Sequence, residues 1–281
     1  MRVVFTDANS KLEKLAQVPE LRTWLNNGRK IKAFNLLSGY SCPQAKECLA
    51  KVQATPNPDK KSGLNLKVID GKDCQFRCFS ATNEATYPSV YLSRKKNFDA
   101  LKVCKTVGEM VKLIHDALPK NTGIVRIHVA GDFFNDMYFK AWCIVAQLNP
   151  DTLFYAYTKS LNYWLDNQMQ VPENFVLTAS RGGRLDHLID QHNLREAKVV
   201  FSPEEADALG YEIDHTDEHA AIPEYADKSF ALLIHGKQPP NSKASAAIKA
   251  MNKRNIKFSL VKIFRFKFVI YNQLTHLKMS L

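Results

Sequence analysis

The chain has 281 residues, of which 45% are hydrophobic, 10% aromatic and 24% charged, and it carries a formal net charge of +11. This composition fits a globular protein of one large or two small domains, long enough to bury a core without covalent staples. It excludes a protein that spans a membrane by helices, because no run approaches roughly 18 uninterrupted apolar residues; residues 1–10 show no apolar stretch behind a basic start, so the cytoplasm is the expected compartment.

The charge is unevenly spread. Residues 249–281 hold eight Lys or Arg and no Asp or Glu, and removing those eight from +11 leaves +3 for residues 1–248. The expected organisation is therefore one α/β domain over 1–248 followed by a basic extension over 249–281. In that extension Phe264, Phe266 and Phe268 alternate with Arg265 and Lys267, a pattern that suits an edge strand with a basic outer face or an arm lying on nucleic acid.

In chain order, the first strand is expected over 31–37, and a cysteine-bearing loop over 38–86 follows it. A helix is expected over 108–118, closed by Pro119, and a second strand over 124–130 ends in Gly131-Asp132-Phe133-Phe134. A helix over 136–148 stops at Asn149-Pro150. The strand over 153–157 ends in Thr158-Lys159-Ser160, and a short helix holds Tyr163 and Trp164. The strand over 175–179 runs into Ser180-Arg181-Gly182-Gly183-Arg184, with helix over 185–192. The strand over 198–201 leads to Ser202-Pro203, where proline opens a helix and Glu204 and Glu205 favour its dipole. The last strand, 230–234, ends in His235-Gly236.

Six strands separated by helices or by the cysteine segment imply a parallel sheet, because parallel neighbours need a crossover. The expected fold is α/β, with about six βα units in a partial TIM-like barrel. Polar and glycine-rich strand ends would then gather on one face, where such folds bind ligands.

Cys42 and Cys48, then Cys74 and Cys78, form two close pairs after the first strand. Thiolates are soft ligands, and two such pairs brought together can hold zinc or an iron-sulfur cluster. Three cysteines on a four-iron cluster would leave one iron open to substrate or cofactor. Four would close it and favour electron transfer or a structural role. Cys42, Cys48 and Cys78 are the expected ligands, and Cys74 is a fourth ligand or a spare. Cys104 and Cys143 are expected to be structural, since a buried free cysteine packs as a small hydrophobe.

Among the other candidates, Asp132 could accept hydrogen bonds from an ammonium or ribose hydroxyl, with Phe133 and Phe134 beside a flat ring. Lys159, Arg181 and Arg184 could hold a phosphate or carboxylate, with Ser180 beside them and Gly182 and Gly183 admitting backbone amides. His128 is expected in the core, and His235, at a strand end, is the better functional histidine. The run Asp214-His215-Thr216-Asp217-Glu218-His219 has metal-ligand residue types at close spacing, or forms a solvated loop. Neither a Gly-x-Ser-x-Gly elbow nor a Walker loop is present, which argues against those hydrolase classes.

Phe76-Arg77-Cys78-Phe79-Ser80, Val129-Ala130-Gly131-Asp132-Phe133-Phe134, the run 154–160, Leu177-Thr178-Ala179-Ser180-Arg181-Gly182-Gly183 and Leu232-Leu233-Ile234-His235-Gly236 resemble the bacteriophage family called gene product eighty-eight, over about 31–250. That resemblance implies a phage-encoded protein acting in the bacterial cytoplasm and supplies no reaction. In architecture the chain is also similar to radical S-adenosylmethionine enzymes. Those have six βα units, cluster cysteines after the first strand, and a Gly-Gly-Glu-like motif ending the second strand that contacts the methionine amino group. Gly131-Asp132 occupies the corresponding place. The family's Cys-x3-Cys-x2-Cys spacing is absent; here Cys-x5-Cys and Cys-x3-Cys are separated by 25 residues.

The expected function is an iron-sulfur protein of the four-iron type, acting as a redox or radical-type enzyme that uses S-adenosylmethionine and takes an anionic substrate. The alternative is a non-catalytic metalloprotein, with a closed cluster or a four-cysteine zinc site and a nucleic-acid-binding tail.

Overall fold

A computed structural model describes residues 2–253. Its strands are β1 (Phe5–Asp7), β2 (Lys30–Phe34), β3 (Ala50–Pro56), β4 (Leu64–Asp70), β5 (Thr122–Ile127), β6 (Leu153–Thr158), β7 (Phe175–Ser180), β8 (Glu196–Val200), β9 (Glu212–Ile213) and β10 (Phe230–Leu233). Its α-helices are α1 (Arg22–Leu25), α2 (Phe79–Thr86), α3 (Pro88–Lys102), α4 (Val107–Ala117), α5 (Asp136–Gln147), α6 (Leu161–Asp166), α7 (His187–Gln191), α8 (Pro203–Leu209), α9 (Glu218–Ala221) and α10 (Lys243–Lys253).

Eight strands form one sheet in the order β1-β2-β5-β6-β7-β8-β10-β9, and β3 and β4 pair apart from it. All six expected strands are present as β2, β5, β6, β7, β8 and β10, and each is parallel to its neighbour. The sheet is mostly parallel and open, not a closed barrel: β1 flanks β2 antiparallel at one edge, and the two-residue β9 ends the other. No helix among the described residues is long and apolar enough to cross a membrane.

Local chemistry accounts for the helix starts. Thr106 caps α4 by accepting from Glu109 N at 3.2 Å, while the Glu109 carboxylate accepts from Lys105 N at 2.7 Å. Asn135 caps α5 through Tyr138 N at 2.8 Å. Ser202 caps α8 ahead of Pro203, and Gly210 closes that helix at a φ of +69°.

Alternation along the strands divides the core between two faces. Phe34, Val125, Ile127, Phe154, Ala156 and Leu177 pack against α3, α4 and α5, where Trp142 is central. On the opposite face Ile31, Ala33, Ile124, Tyr155 and Val176 are covered by Leu12, Leu15 and Leu21 and by Ala220–Ile222 around α9. Cys104 and Cys143 are buried, as expected, and burial lifts the Cys143 thiol to about 12.

The segment 38–86 is corrected from a loop. It contains the β3–β4 hairpin and α2, and Leu37, Ala50, Val52, Ala81 and Tyr91 form its own small core. Glu84, wholly buried, ties the start of the segment to α2 and α3. It accepts from Ser38 N at 3.0 Å, Ser38 Oγ at 2.8 Å and Arg94 Nη1 at 3.0 Å. At the other end of the chain α10 runs through position 249, where the basic extension was expected to begin; the Phe264–Phe268 alternation lies outside the described residues.

Gly131, just past β5, holds a φ of +96°, and a Cβ there would come within 2.7 Å of both Leu36 Cβ and Ser41 Oγ. The chain after β2 lies directly on this turn. Gly131→Ala is therefore expected to cost about 2–4 kcal/mol of stability through backbone strain and overpacking, read as a lower urea midpoint.

Candidate functional site

Consecutive strand ends are joined by buried polar side chains. Asn35, just after β2, accepts from Val129 N at 2.8 Å and Ala130 N at 3.1 Å beyond β5. Asp132 accepts from Thr158 Oγ1 at 2.7 Å, Lys159 N at 2.9 Å and Phe133 N at 2.7 Å, which joins the end of β5 to that of β6. Lys159 donates to Ser180 O and Oγ, both at 2.8 Å, and to Arg181 O at 2.9 Å, which joins β6 to β7.

The cysteine segment crosses these ends. Lys46 N and Glu47 N donate to Gly182 O at 3.3 and 3.0 Å, Arg184 N donates to Gln44 O at 2.8 Å, and Ala45 pairs with Gly183. Gly182 is needed for that approach. Its φ is +98°, and a Cβ would meet Glu47 Oε2 at 2.9 Å. Further along, Arg77 N donates to Gln238 Oε1 at 2.7 Å and Ser80 Oγ to Val129 O at 2.9 Å, fixing the residues on both sides of Cys78.

These contacts bring cysteines that are distant in sequence to one place. Burial, followed by the charges of Asp132, Cys78 and Cys48, pushes the Cys42 thiol well up, against a hydrogen bond from the Gly39 backbone. Burial also lifts Cys48 to about 11; the Lys159 charge opposes this, while Cys78 and Asp132 add to it. As residues, Cys42, Cys48, Cys74 and Cys78 are half-buried.

Cys74 differs from the other three. Its sulfur donates to Phe76 O at 3.1 Å, and burial, followed by the charges of Asp70, Cys48 and Cys78, lifts it to about 11 against Arg77. Cys78 occupies the N-cap position of α2, and its side chain makes no capping bond. Among the described residues no group of three His, Cys, Asp or Glu side chains is positioned to hold a single metal ion.

The remaining candidates separate by environment. Phe133 is fully buried and packs edge-on against Phe139 at 4.9 Å, so its ring belongs to the core and is not open to a ligand. Arg181 is ion-paired with Glu196 and, at 2.6 Å, with Asp190, and all three Lys159 hydrogens are spent within the protein. Neither cation is free to grip an anion. His128 is buried, with Nε2 2.9 Å from Tyr138 Oη, and burial with Arg126 nearby holds its pKa down to about 3. His235 is exposed at the rim with its ring 4.8 Å from that of Phe79; the surrounding protein, then Lys11 and Arg126, hold its pKa down to about 4.

The 214–219 run is corrected from a solvated loop. Asp214, Asp217 and His219 are buried, and Asp217, at a φ of +68°, ion-pairs with Arg126 and, at 2.5 Å, with Lys11. Tyr155 Oη donates to the same carboxylate at 3.2 Å. Asn35, Glu47, Lys11 and Arg126 were not singled out from the sequence, because isolated polar residues in a strand or surface turn have no spacing by which to be recognised.

An open, mostly parallel α/β sheet with a cysteine-bearing segment folded across its strand ends defines the class of this protein. The chain belongs to the Gene product 88 family, whose family model matches residues 3–254, the bacteriophage family that its motifs resemble. No curated protein and no solved structure matches it, so neither comparison adds support to the radical S-adenosylmethionine likeness.

Burial lifts the Asp132 carboxyl from 3.8 to about 6 despite its three hydrogen bonds. The folded state therefore holds this proton to higher pH than the unfolded chain. The resulting stabilisation is fully present below 3.8 and is lost as pH rises through about 6. Asp132→Asn is expected to remove this slope, so that the urea midpoint of the parent falls relative to that of the variant as pH rises from 3.8 through about 6. Parallel curves would contradict the assignment.

Proposed function

We propose that the protein binds an iron-sulfur cluster of the four-iron type through Cys42, Cys48 and Cys78, leaves one iron open, and acts as a redox or radical-type enzyme. The observation that carries this reading is the convergence of these three thiols beside Asp132 and Lys159, at the carboxyl ends of parallel strands.

The donor set fits such a group. Three thiols within electrostatic reach of one another, none of them donating a hydrogen bond among the described residues, are available to lose their protons to iron, and Cys74 donates to the Phe76 carbonyl.

The strand order supports a partial barrel. The six parallel strands follow one another across the sheet in chain order, without the reversal of a doubly wound fold, and the cysteines follow the first of them. When bound, the cluster would supply one-electron chemistry, and an open iron would admit S-adenosylmethionine. This chain's own residues would hold the cysteine segment in place: Asp132 and Lys159 tie the strand ends that it crosses, and the Glu84–Arg94 pair fixes the turn that leads to Cys42.

Iron, sulfide and zinc analysis with electron paramagnetic resonance of anaerobically purified, dithionite-reduced protein tests the reading. Cys42→Ser, Cys48→Ser and Cys78→Ser are each expected to lose the cluster, and Cys74→Ser to keep it. A reduced-cluster signal that shifts on adding S-adenosylmethionine supports the open iron. An unshifted signal that Cys74→Ser abolishes would replace it with a closed, four-cysteine site, and zinc in place of iron would overturn the redox reading.

A further inference from the structure

A cavity of about 430 Å³ opens between the N-terminal segment around β1, the inner edge of β2, and helices α2 and α3. Its volume falls within the roughly 300–1,000 Å³ usual for small-molecule sites. None of the four candidate ligand cysteines lines it, although Phe79 on its wall directly follows Cys78.

The chemistry of the walls restricts what fits. The charged residues that reach the cavity are Asp7 and Arg94, and both are paired, Asp7 with Lys32 at 2.5 Å and Arg94 with Glu84 at 3.0 Å. No unpaired charge is left to recognise an ionised group. The polar groups that remain are amides and hydroxyls. The Asn83 side chain and the Ser93 hydroxyl make no hydrogen bond among the described residues. Asn35 spends its oxygen on Val129 N and Ala130 N and one N–H on Thr6 Oγ1 at 3.3 Å, which leaves the second N–H.

Two aromatic rings complete the wall. Phe79 is half-buried, and Tyr87, 56% exposed, stands at the mouth with no hydrogen bond from its hydroxyl among the described residues. A free carboxamide presents a donor and an acceptor side by side, the arrangement that pairs bidentately with the edge of a heterocyclic base, and aromatic rings stack on any base. Aliphatic ligands would leave the amides unpaired at a cost, and anions would find no free cation.

We infer that this cavity binds a nucleobase, carried by a free nucleoside or by an unpaired nucleotide of a single strand. Asn83 reads the polar edge of the base, Phe79 and Tyr87 hold its face, and Ser93 with the remaining Asn35 N–H meets the sugar or the far edge. This site extends beyond the cluster reading and does not depend on it.

Isothermal titration of the full chain with adenosine, guanosine, cytidine and uridine tests the inference, with ribose 5-phosphate and glucose as controls. At least one nucleoside is expected to bind with a dissociation constant below about 1 mM, while both controls fail. Asn83→Leu is expected to weaken that binding by about tenfold or more, as loss of a bidentate pair does, and Tyr87→Ala to weaken it as well, each with an unchanged urea midpoint. A short single-stranded oligonucleotide of the same base that binds more tightly, and still needs Asn83, would identify a strand as the source; equal or weaker binding would identify the free nucleoside. Affinity should survive removal of iron by chelation, so loss of the cluster reading leaves this one standing. No nucleoside binding at about 5 mM, binding by glucose instead, or affinity that both variants leave unchanged would overturn it.

Discussion

The carboxyl edge of a parallel sheet ends in backbone groups that have no further strand to pair with, and the rest of this structure depends on how they are satisfied. Asn35, Asp132 and Lys159 do so in sequence, each reaching from one strand end to the next. Because all three are buried, removing any of them would leave donors or acceptors without partners in a place where water cannot replace them. The ends of β2, β5, β6 and β7 are thereby held at fixed relative positions. A segment laid across them inherits that rigidity, and this segment carries the cysteines.

The same residues set the electrostatics around the cysteines. Asp132 is pushed up by burial and in turn adds to the forces keeping Cys42 and Cys48 protonated, while the Lys159 ammonium eases Cys48 in the opposite direction. Thiols in this state would release protons if they bound a metal, and such binding would then depend on pH. Arg181, which by residue type is an anion grip, instead serves Glu196 and Asp190. Positive charge at these strand ends therefore stabilises architecture, and the neighbouring amide-lined cavity is left as the place where uncharged polar chemistry can be read.

Much of the sheet was legible in the sequence. Strands such as Leu153–Thr158 and Phe175–Ser180 are short apolar runs bounded by turn residues, and helices such as Val107–Ala117 begin with a cap and end near proline. The β3–β4 hairpin went unread although Leu64, Leu66 and Val68 alternate with polar residues ahead of Asp70, because its strands pack only on a small local core and lie apart from the main sheet. The edge strand β1 carries no such signal in three residues. Its pairing of Phe5 with Phe34 across the N-terminal segment is a long-range event.

By itself the sequence determined the element types, the order of six parallel strands, the family motifs and the presence of four cysteines after the first of those strands, because periodicity, caps and turn residues act over a few positions. Only the tertiary structure decided that the sheet stays open, that Phe133 belongs to the core, and that Cys42, Cys48, Cys74 and Cys78 lie within electrostatic reach of one another, with the Cys74 sulfur donating to Phe76 O. It also decided that Asp217 lies buried among Lys11, Arg126 and Tyr155 and that Asn83 faces a cavity. The reason is physical: whether a polar side chain is spent or available depends on partners tens to hundreds of residues away, and those distances are set by packing rather than by spacing along the chain.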